Sequence, residues 1–333
     1  LIVILWFRNI YQDYPTLLGW YNPNHVIRYV FYINLFCSAI ITIGLLPEIF
    51  QIRNGFDRKL FRQMLSYTWP ILILGLAGIL NQVADKICFT YIIKGDEGEK
   101  LLGIYGSAVK VAMIMSMLTQ AFRYAYEPLV FSTAAHDREG QNKVYADAMK
   151  FFIIFALLAF VAVMFYLDIL MFIIGSTYWE GLKVVPIVML AEIFMGVYFN
   201  LSFWYKLTDQ TWWGAIFSFI GCAVLLAINF IFVPKYGYMA CAWGGFAGYG
   251  VCMLLSYFVG QKKSPINYPL KDIFMYVMLA AMLYVVYWFC KDLPMWLSLT
   301  INTILIGIYL AYLIKKDLPL KSLPVIGKYF RKN

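Results

Sequence analysis

The stretch FFIIFALLAFVAVMFYL, residues 151–167, runs 17 positions without a charge, an amide, a glycine or a proline. As a helix rising about 1.5 Å per residue it is roughly 26 Å long, close to the ~30 Å of bilayer hydrocarbon. With its flanks it reads as a spanning segment over residues 148–174. Eight further segments satisfy the same length and apolarity, at 26–47, 67–93, 102–131, 184–206, 212–233, 239–259, 273–289 and 296–314. Backbone polar groups in lipid have no water to bond, so each segment must satisfy them internally, as a helix does. The expected fold class is therefore all-α, a polytopic transmembrane helix bundle.

Composition supports this from the other direction. The chain is 62% hydrophobic and 14% charged, with a mean hydropathy of +0.72. A soluble domain carries about 25% charge, and a chain this apolar could not clothe itself in a polar surface. The net charge of +9 raises nucleic acid as a partner. The cations sit in loops and tail, however, as membrane topology requires, so nucleic-acid binding is not expected. Cys37, Cys88, Cys222, Cys241, Cys252 and Cys290 are scattered with no CxxC pair, and read as packing residues. The two histidines, His25 and His136, exclude a His-rich metal site, and no cofactor motif occurs.

Loop charge sets the orientation. One alternate set of loops, with the tail, holds Arg53, Arg58, Lys59, Arg62, Arg138, Lys143, Lys206, Lys262, Lys263 and Lys271, then Lys315 to Lys332, about 16 cations. The other set, with Arg8, Lys94, Lys100, Lys183, Lys235 and Lys291, holds about 6. The first set is expected to be cytoplasmic, and the C-terminus with it. Within the linker 48–66, Phe56, Leu60 and Met64 recur every four residues among Arg and Lys, which suits an amphipathic stretch on the membrane surface. The chain begins Leu1-Ile2-Val3-Ile4-Leu5-Trp6-Phe7, without Met or a basic leader. It reads as the end of a span whose start is missing, an N-terminal truncation.

Charges inside spans are costly and mark functional candidates. Asn81, Gln82 and Asp85 share one arc with Gly78, a polar strip suited to a water-filled path. Lys86 lies beside it, adjacent to Asp85 and not squarely facing it. In the next span, Gly106, Val109, Met113, Ser116, Gln120, Arg123 and Glu127 share an arc, with Arg123 and Glu127 placed for an i, i+4 pair. Lys110 stands on another side with no local partner, which leaves an acidic residue elsewhere or an anionic substrate. Glu192, with Asn200 two turns on, and Asn229 are further candidates. The run Trp243 to Gly250 contains the small-xxx-small spacing Gly244/Gly248, which allows close helix packing. No catalytic motif or metal spacing is present, so the chain is not expected to be an enzyme.

Leu65-Ser66-Tyr67-Thr68-Trp69-Pro70, Gly75-Leu76-Ala77-Gly78 and Asn81-Gln82-Val83-Ala84-Asp85-Lys86 resemble the opening of the second lobe of Wzx-type polysaccharide (O-antigen) flippases. These belong to the multidrug/oligosaccharidyl-lipid/polysaccharide exporter superfamily. Gly103 to Lys110, Gln120 to Pro128, and Tyr178-Trp179-Glu180-Gly181 before Val184-Val185-Pro186 are similar to that family too. The resemblance implies a MATE-like two-lobe transporter with two added helices. Residues 1–66 would be the remnant of the first lobe, 67–259 the second six-helix lobe, 260–314 the appended pair and 315–333 a basic cytoplasmic tail. It also implies an undecaprenyl-diphosphate-linked oligosaccharide as substrate, moved across the bacterial inner membrane by alternating access. Expected partners are that lipid-linked oligosaccharide, membrane lipids and other polysaccharide-assembly membrane proteins. On this footing Lys110, Arg123, Lys86, Gln120, Glu127 and Glu192 are substrate-binding candidates, and Asp85, Asn81 and Asn229 ion-coupling candidates. The alternatives are a multidrug exporter of the same superfamily, which would need an acidic and aromatic cavity, and a membrane polysaccharide polymerase or ligase, which would need a sizeable external loop.

Overall fold

Helices account for nearly all of the computed structural model, which describes residues 26–51, 57–133, 138–208, 210–290 and 293–317; no strand occurs among them. The all-α polytopic bundle expected from the sequence is borne out. Among the described residues eight helical spans are long and apolar enough to cross a membrane. The expected span 67–93 lies in a ninth long helix. The chain start to residue 25, the centre of the basic linker with Phe56, and the tail beyond 317 lie outside the described residues.

The chain divides into two units, Leu1–Leu65 and Ser66–Asn333. In the first, α1 (Val26–Gln51) is a 26-residue helix carrying Pro47 in its last turn. α2 (Arg58–Ile92) begins where the Asp57 carboxylate accepts the backbone N–H of Lys59 at 2.8 Å and of Leu60 at 3.2 Å, an N-cap that satisfies two otherwise orphaned donors. The helix then runs 35 residues without a break. At 1.5 Å per residue it is about 52 Å long, well beyond the hydrocarbon thickness. The amphipathic residues Leu60 and Met64, expected on a separate surface segment, are thus the first turns of the same helix that carries Asn81 and Asp85.

The second unit takes in α2 from Ser66 onward and continues with α3 (Asp96–Thr133), α4 (Arg138–Phe165), α5 (Val185–Leu201), α6 (Trp212–Tyr236), α7 (Tyr238–Lys263), α8 (Leu270–Cys290) and α9 (Met295–Lys316). A 3-10 stretch, Ser176–Val184, leads into α5, and a short helix, Phe203–Leu207, follows it. α4, the span that opened the sequence reading, is the centre of the unit. Two-thirds of its apolar window is enclosed by protein, with Phe152, Ile154, Val161 and Met164 at most 2% exposed. It packs on α3, α5 and α8.

α6 and α7 approach closely because their contact positions lack side chains. A Cβ on Gly221 would stand 2.2 Å from Cys252 Sγ and 2.8 Å from the Gly248 carbonyl oxygen, and one on Gly248 would stand 2.8 Å from the Gly221 oxygen. The Gly244/Gly248 spacing read in the sequence lies on this seam, as small-residue packing requires. The pair α8–α9 docks on α4 through polar pins. Tyr309 donates to the Ile154 carbonyl at 2.9 Å and Asn302 to that of Phe165 at 2.7 Å. Lys150 is clasped between Asp272 and Asp317, Lys316 joins Asp272 at 2.7 Å, and the Tyr276 hydroxyl donates to Asp317.

Successive helices alternate in direction, giving the unit two ends. Asp96, Glu180 and Tyr238 share one, where Tyr238 donates to Glu180 at 3.1 Å. The other gathers Val130, Tyr145, Phe203 and Ile266 in one apolar cluster. These are called the Asp96 end and the Thr133 end.

Candidate functional site: charges at the two ends of α3

α3 carries its burial on one side. Ile104, Tyr105, Ala108, Val111, Ala112, Met115 and Thr119 are buried, while Lys110, Met113, Ile114, Met117, Gln120 and Tyr124 form the opposite, exposed stripe. Lys110 opens that stripe on the side nearer Asp96, and among the described residues no protein group pairs with it. It lies nine residues past Leu101, about 14 Å into the apolar part of the helix. Gln120 is on the same exposed side.

Near the Asp96 end the structure gathers Asn81, Asp85, Lys86 and Glu192. Asp85 is 6% exposed, accepts the Tyr105 hydroxyl proton at 2.6 Å, and forms an ion pair with Lys86 at 3.2 Å. Adjacency in sequence suggested that the two would not face each other; the long Lys86 chain folds back instead, its amine also donating to the Gln82 carbonyl at 3.0 Å and lying over the Tyr105 ring. Asn81 is buried, donating to the Ser218 carbonyl of α6 at 3.0 Å, while Tyr249 of α7 donates to the Asn81 carbonyl at 3.4 Å. Of the polar strip, only Gln82 faces outward; Asn81 and Asp85 are enclosed by α3, α6 and α7. Glu192 of α5 lies close to Ser116 of α3, within electrostatic reach of Lys86 and Asp85. Asn229 is fully buried on α6, pressed toward Gly244, and neither its amide nitrogen nor its oxygen has a partner.

Toward the Thr133 end, the i, i+4 pair Arg123–Glu127 does not form. Glu127 instead faces Lys206 from the short helix after α5, at 3.6 Å. Arg123 lies between the rings of Tyr124 and Phe199, 5.5 and 5.4 Å from their centroids, and its buried Nε has no partner. The guanidinium borders a narrow cleft whose polar lining is Thr119, Arg123, Asn200 and Lys206, within aromatic walls that include Phe122 and Phe203. Sequence reading found Arg123 and Glu127 but missed Lys206, Thr119 and Tyr105 as members of these sites. Only the lysine left a trace, as a cation closing a span among aromatics.

These features define a multi-pass helical membrane protein with cations and carboxylates placed inside its bundle. Residues 17–132 match the model of a family described as polysaccharide biosynthesis protein. That range contains every stretch on which the resemblance to polysaccharide flippases rested except Tyr178 to Pro186, and the resemblance is borne out there. No curated protein sequence matches the chain. Among solved structures the chain is similar to one described as lipid II flippase MurJ, inward closed conformation, at 18% identity with a TM-score of 0.63. The likeness covers 84% of this chain and 60% of that one, so the chain spans less than two-thirds of that protein's length. At this identity it is the fold that is shared.

Proposed function

We propose that the chain is part of a transporter that carries a lipid-linked (undecaprenyl-diphosphate) oligosaccharide across the bacterial inner membrane for surface polysaccharide biosynthesis, by alternating access. Residues 67–259 supply its second lobe and 260–314 an appended pair. The Thr133 end is cytoplasmic on the loop-charge bias, and the basic tail with it.

The observation that carries this reading is Lys110. An ammonium at hydrocarbon depth costs at least ~2.5 kcal/mol on insertion scales, and the outer stripe of α3 offers it no partner. That stripe therefore faces a water-filled path, and the group that passes along it is an anion. A diphosphate meets this condition; a cationic drug, which needs acids and aromatics in the path, does not. Transport of a bulky lipid-linked glycan needs a path and charge stations and no catalytic residue, which fits a transporter better than a polymerase or ligase. Asp85, Asn81 and Asn229 serve ion coupling in this reading, supported by the unpartnered Asn229 amide and Asn81 Oδ1 beside α7.

The test is export of surface glycan by the full-length protein in a flippase-deleted strain. Lys110→Ala abolishes export at normal membrane abundance, and Lys110→Arg retains part, since guanidinium also binds phosphate. Normal export by an abundant Lys110→Ala protein overturns the assignment.

A further inference from the structure

Between Lys110 and the Thr133 end, the exposed stripe of α3 carries two uncharged polar groups that the protein leaves unbonded. Gln120 is exposed, and among the described residues neither its amide oxygen nor its amide nitrogen has a partner. Tyr124 is 66% exposed and its hydroxyl is likewise unbonded among them. Its ring, by contrast, is held. The Arg123 guanidinium lies over it, 5.5 Å from the centroid, and is itself backed by Phe199 of α5 at 5.4 Å. A planar cation stacked on a ring fixes the plane of that ring. No other ring or cation lies against Tyr124 among the described residues, so one aromatic face is braced and the other is open.

At ~100° per residue, Lys110, Gln120 and Tyr124 fall within an arc of about 80°, with Gln120 about 15 Å and Tyr124 about 21 Å along the axis from Lys110. Met113 and Met117 fill the interval. A helix face turned to lipid gains nothing from an unbonded amide, because hydrocarbon offers it no hydrogen bond. Gln120 therefore shares the water-filled path of Lys110. A group that binds there must offer hydrogen bonds to an amide and an apolar surface to an aromatic ring. A sugar ring offers both: its C–H bonds make an apolar face that lies flat on an aromatic plane, and its hydroxyls make a rim of donors and acceptors. The Gln120 amide presents an acceptor and two donors to that rim, and the Tyr124 hydroxyl can donate or accept.

We infer that Tyr124 and Gln120 form a glycan subsite, in which one sugar of the oligosaccharide stacks on the open face of Tyr124 while Gln120 hydrogen-bonds its hydroxyls. Arg123 is the positioning residue: it braces the ring from behind and acts through it. The inference rests on the transporter reading and divides the substrate along α3, the diphosphate at Lys110 and the sugar nearer the Thr133 end. A ring already fixed in its plane loses little freedom when a ligand lies on it, so the contact goes into affinity and not into ordering the side chain. Stacking reads the face of a sugar and the amide reads its hydroxyls, so Tyr124 supplies attraction and Gln120 selectivity.

The purified full-length protein in phosphatidylcholine nanodiscs is titrated with two ligands, the lipid-linked oligosaccharide extracted from a flippase-deleted strain and undecaprenyl diphosphate without sugar. Binding is read by native mass spectrometry. Wild type binds the glycosylated lipid several-fold more tightly than the bare one. Tyr124→Ala and Gln120→Leu remove that difference and leave binding of the bare lipid unchanged, while Tyr124→Trp, which keeps an aromatic plane, retains it. Arg123→Ala removes part of it, again without weakening the bare lipid, a split that a merely structural role would not produce. Lys110→Ala weakens both ligands alike. A full difference in both Tyr124→Ala and Gln120→Leu, or equal weakening of both ligands by those variants, overturns the glycan subsite and leaves the transporter reading standing on Lys110. Equal binding of the two ligands by wild type overturns the subsite in the same way. Failure of wild type to bind either lipid overturns both readings together.

Discussion

At the Asp96 end Asp85 receives a phenolic proton from Tyr105 and an ammonium from Lys86, and Asn81 bridges to α6. At the Thr133 end Arg123 has a buried donor that meets nothing, and Lys206 stands off its carboxylate. Both clusters border α3, and each sets a cation against a carboxylate. The first is largely closed upon itself, so removing a member leaves partners stranded inside protein. The second is open, so removing a member strands little and the loss falls on whatever binds. Charge alone therefore does not tell the two clusters apart; how far each charged group is already partnered does.

The largest break expected in that contrast is Asp85→Ala. It leaves the Tyr105 hydroxyl without its acceptor and Lys86 without its carboxylate, and with Lys86 36% exposed on its side chain the cost is discounted to about 2 kcal/mol. In detergent this lowers Tm by about 3–6 °C, while Arg123→Ala shifts Tm by less than half as much. Equal shifts in scanning fluorimetry would erase the distinction between the clusters. Next comes Tyr105→Phe, which removes a single interhelical hydrogen bond. Such bonds in membrane proteins are worth about 0.6 kcal/mol on average and up to about 1.7, so the Tm falls by a few degrees at most. Asp85→Asn sharpens the comparison in another way. It keeps the shape and an acceptor for Tyr105, removes the charge, and is expected to leave membrane abundance intact while glycan export falls. Full export would deny the charge any transport role. The smallest effect is Thr119→Val. Deleting an unmet buried hydroxyl is neutral or stabilising by a few tenths of a kcal/mol; a clear loss of Tm would show that the hydroxyl has a structural partner.

The helices were legible in the sequence because apolar length is a local property. Residues 151–167 and 212–233 announce spans with no knowledge of their neighbours, and Gly244/Gly248 announces a close approach. The pairing of charges was less legible. Asp85 and Lys86 are adjacent, and only the flexible lysine chain allows them to meet. Arg123 and Glu127 are correctly spaced for a pair, yet Glu127 faces Lys206, 79 positions away, because the short helix after α5 folds back beside α3. Tyr105 carries no sign in the sequence that its hydroxyl is aimed at a carboxylate. Local spacing proposes partners; tertiary packing decides among them.

The glycine seam between α6 and α7 has a mechanical consequence. Backbones that touch where a methyl group would not fit cannot slide or rock without first separating, so the two helices travel as one plank. Any rearrangement of the unit must then pivot elsewhere, at joints between larger and softer side chains. Motion within the unit is thus confined by a place where the chain has nothing to give.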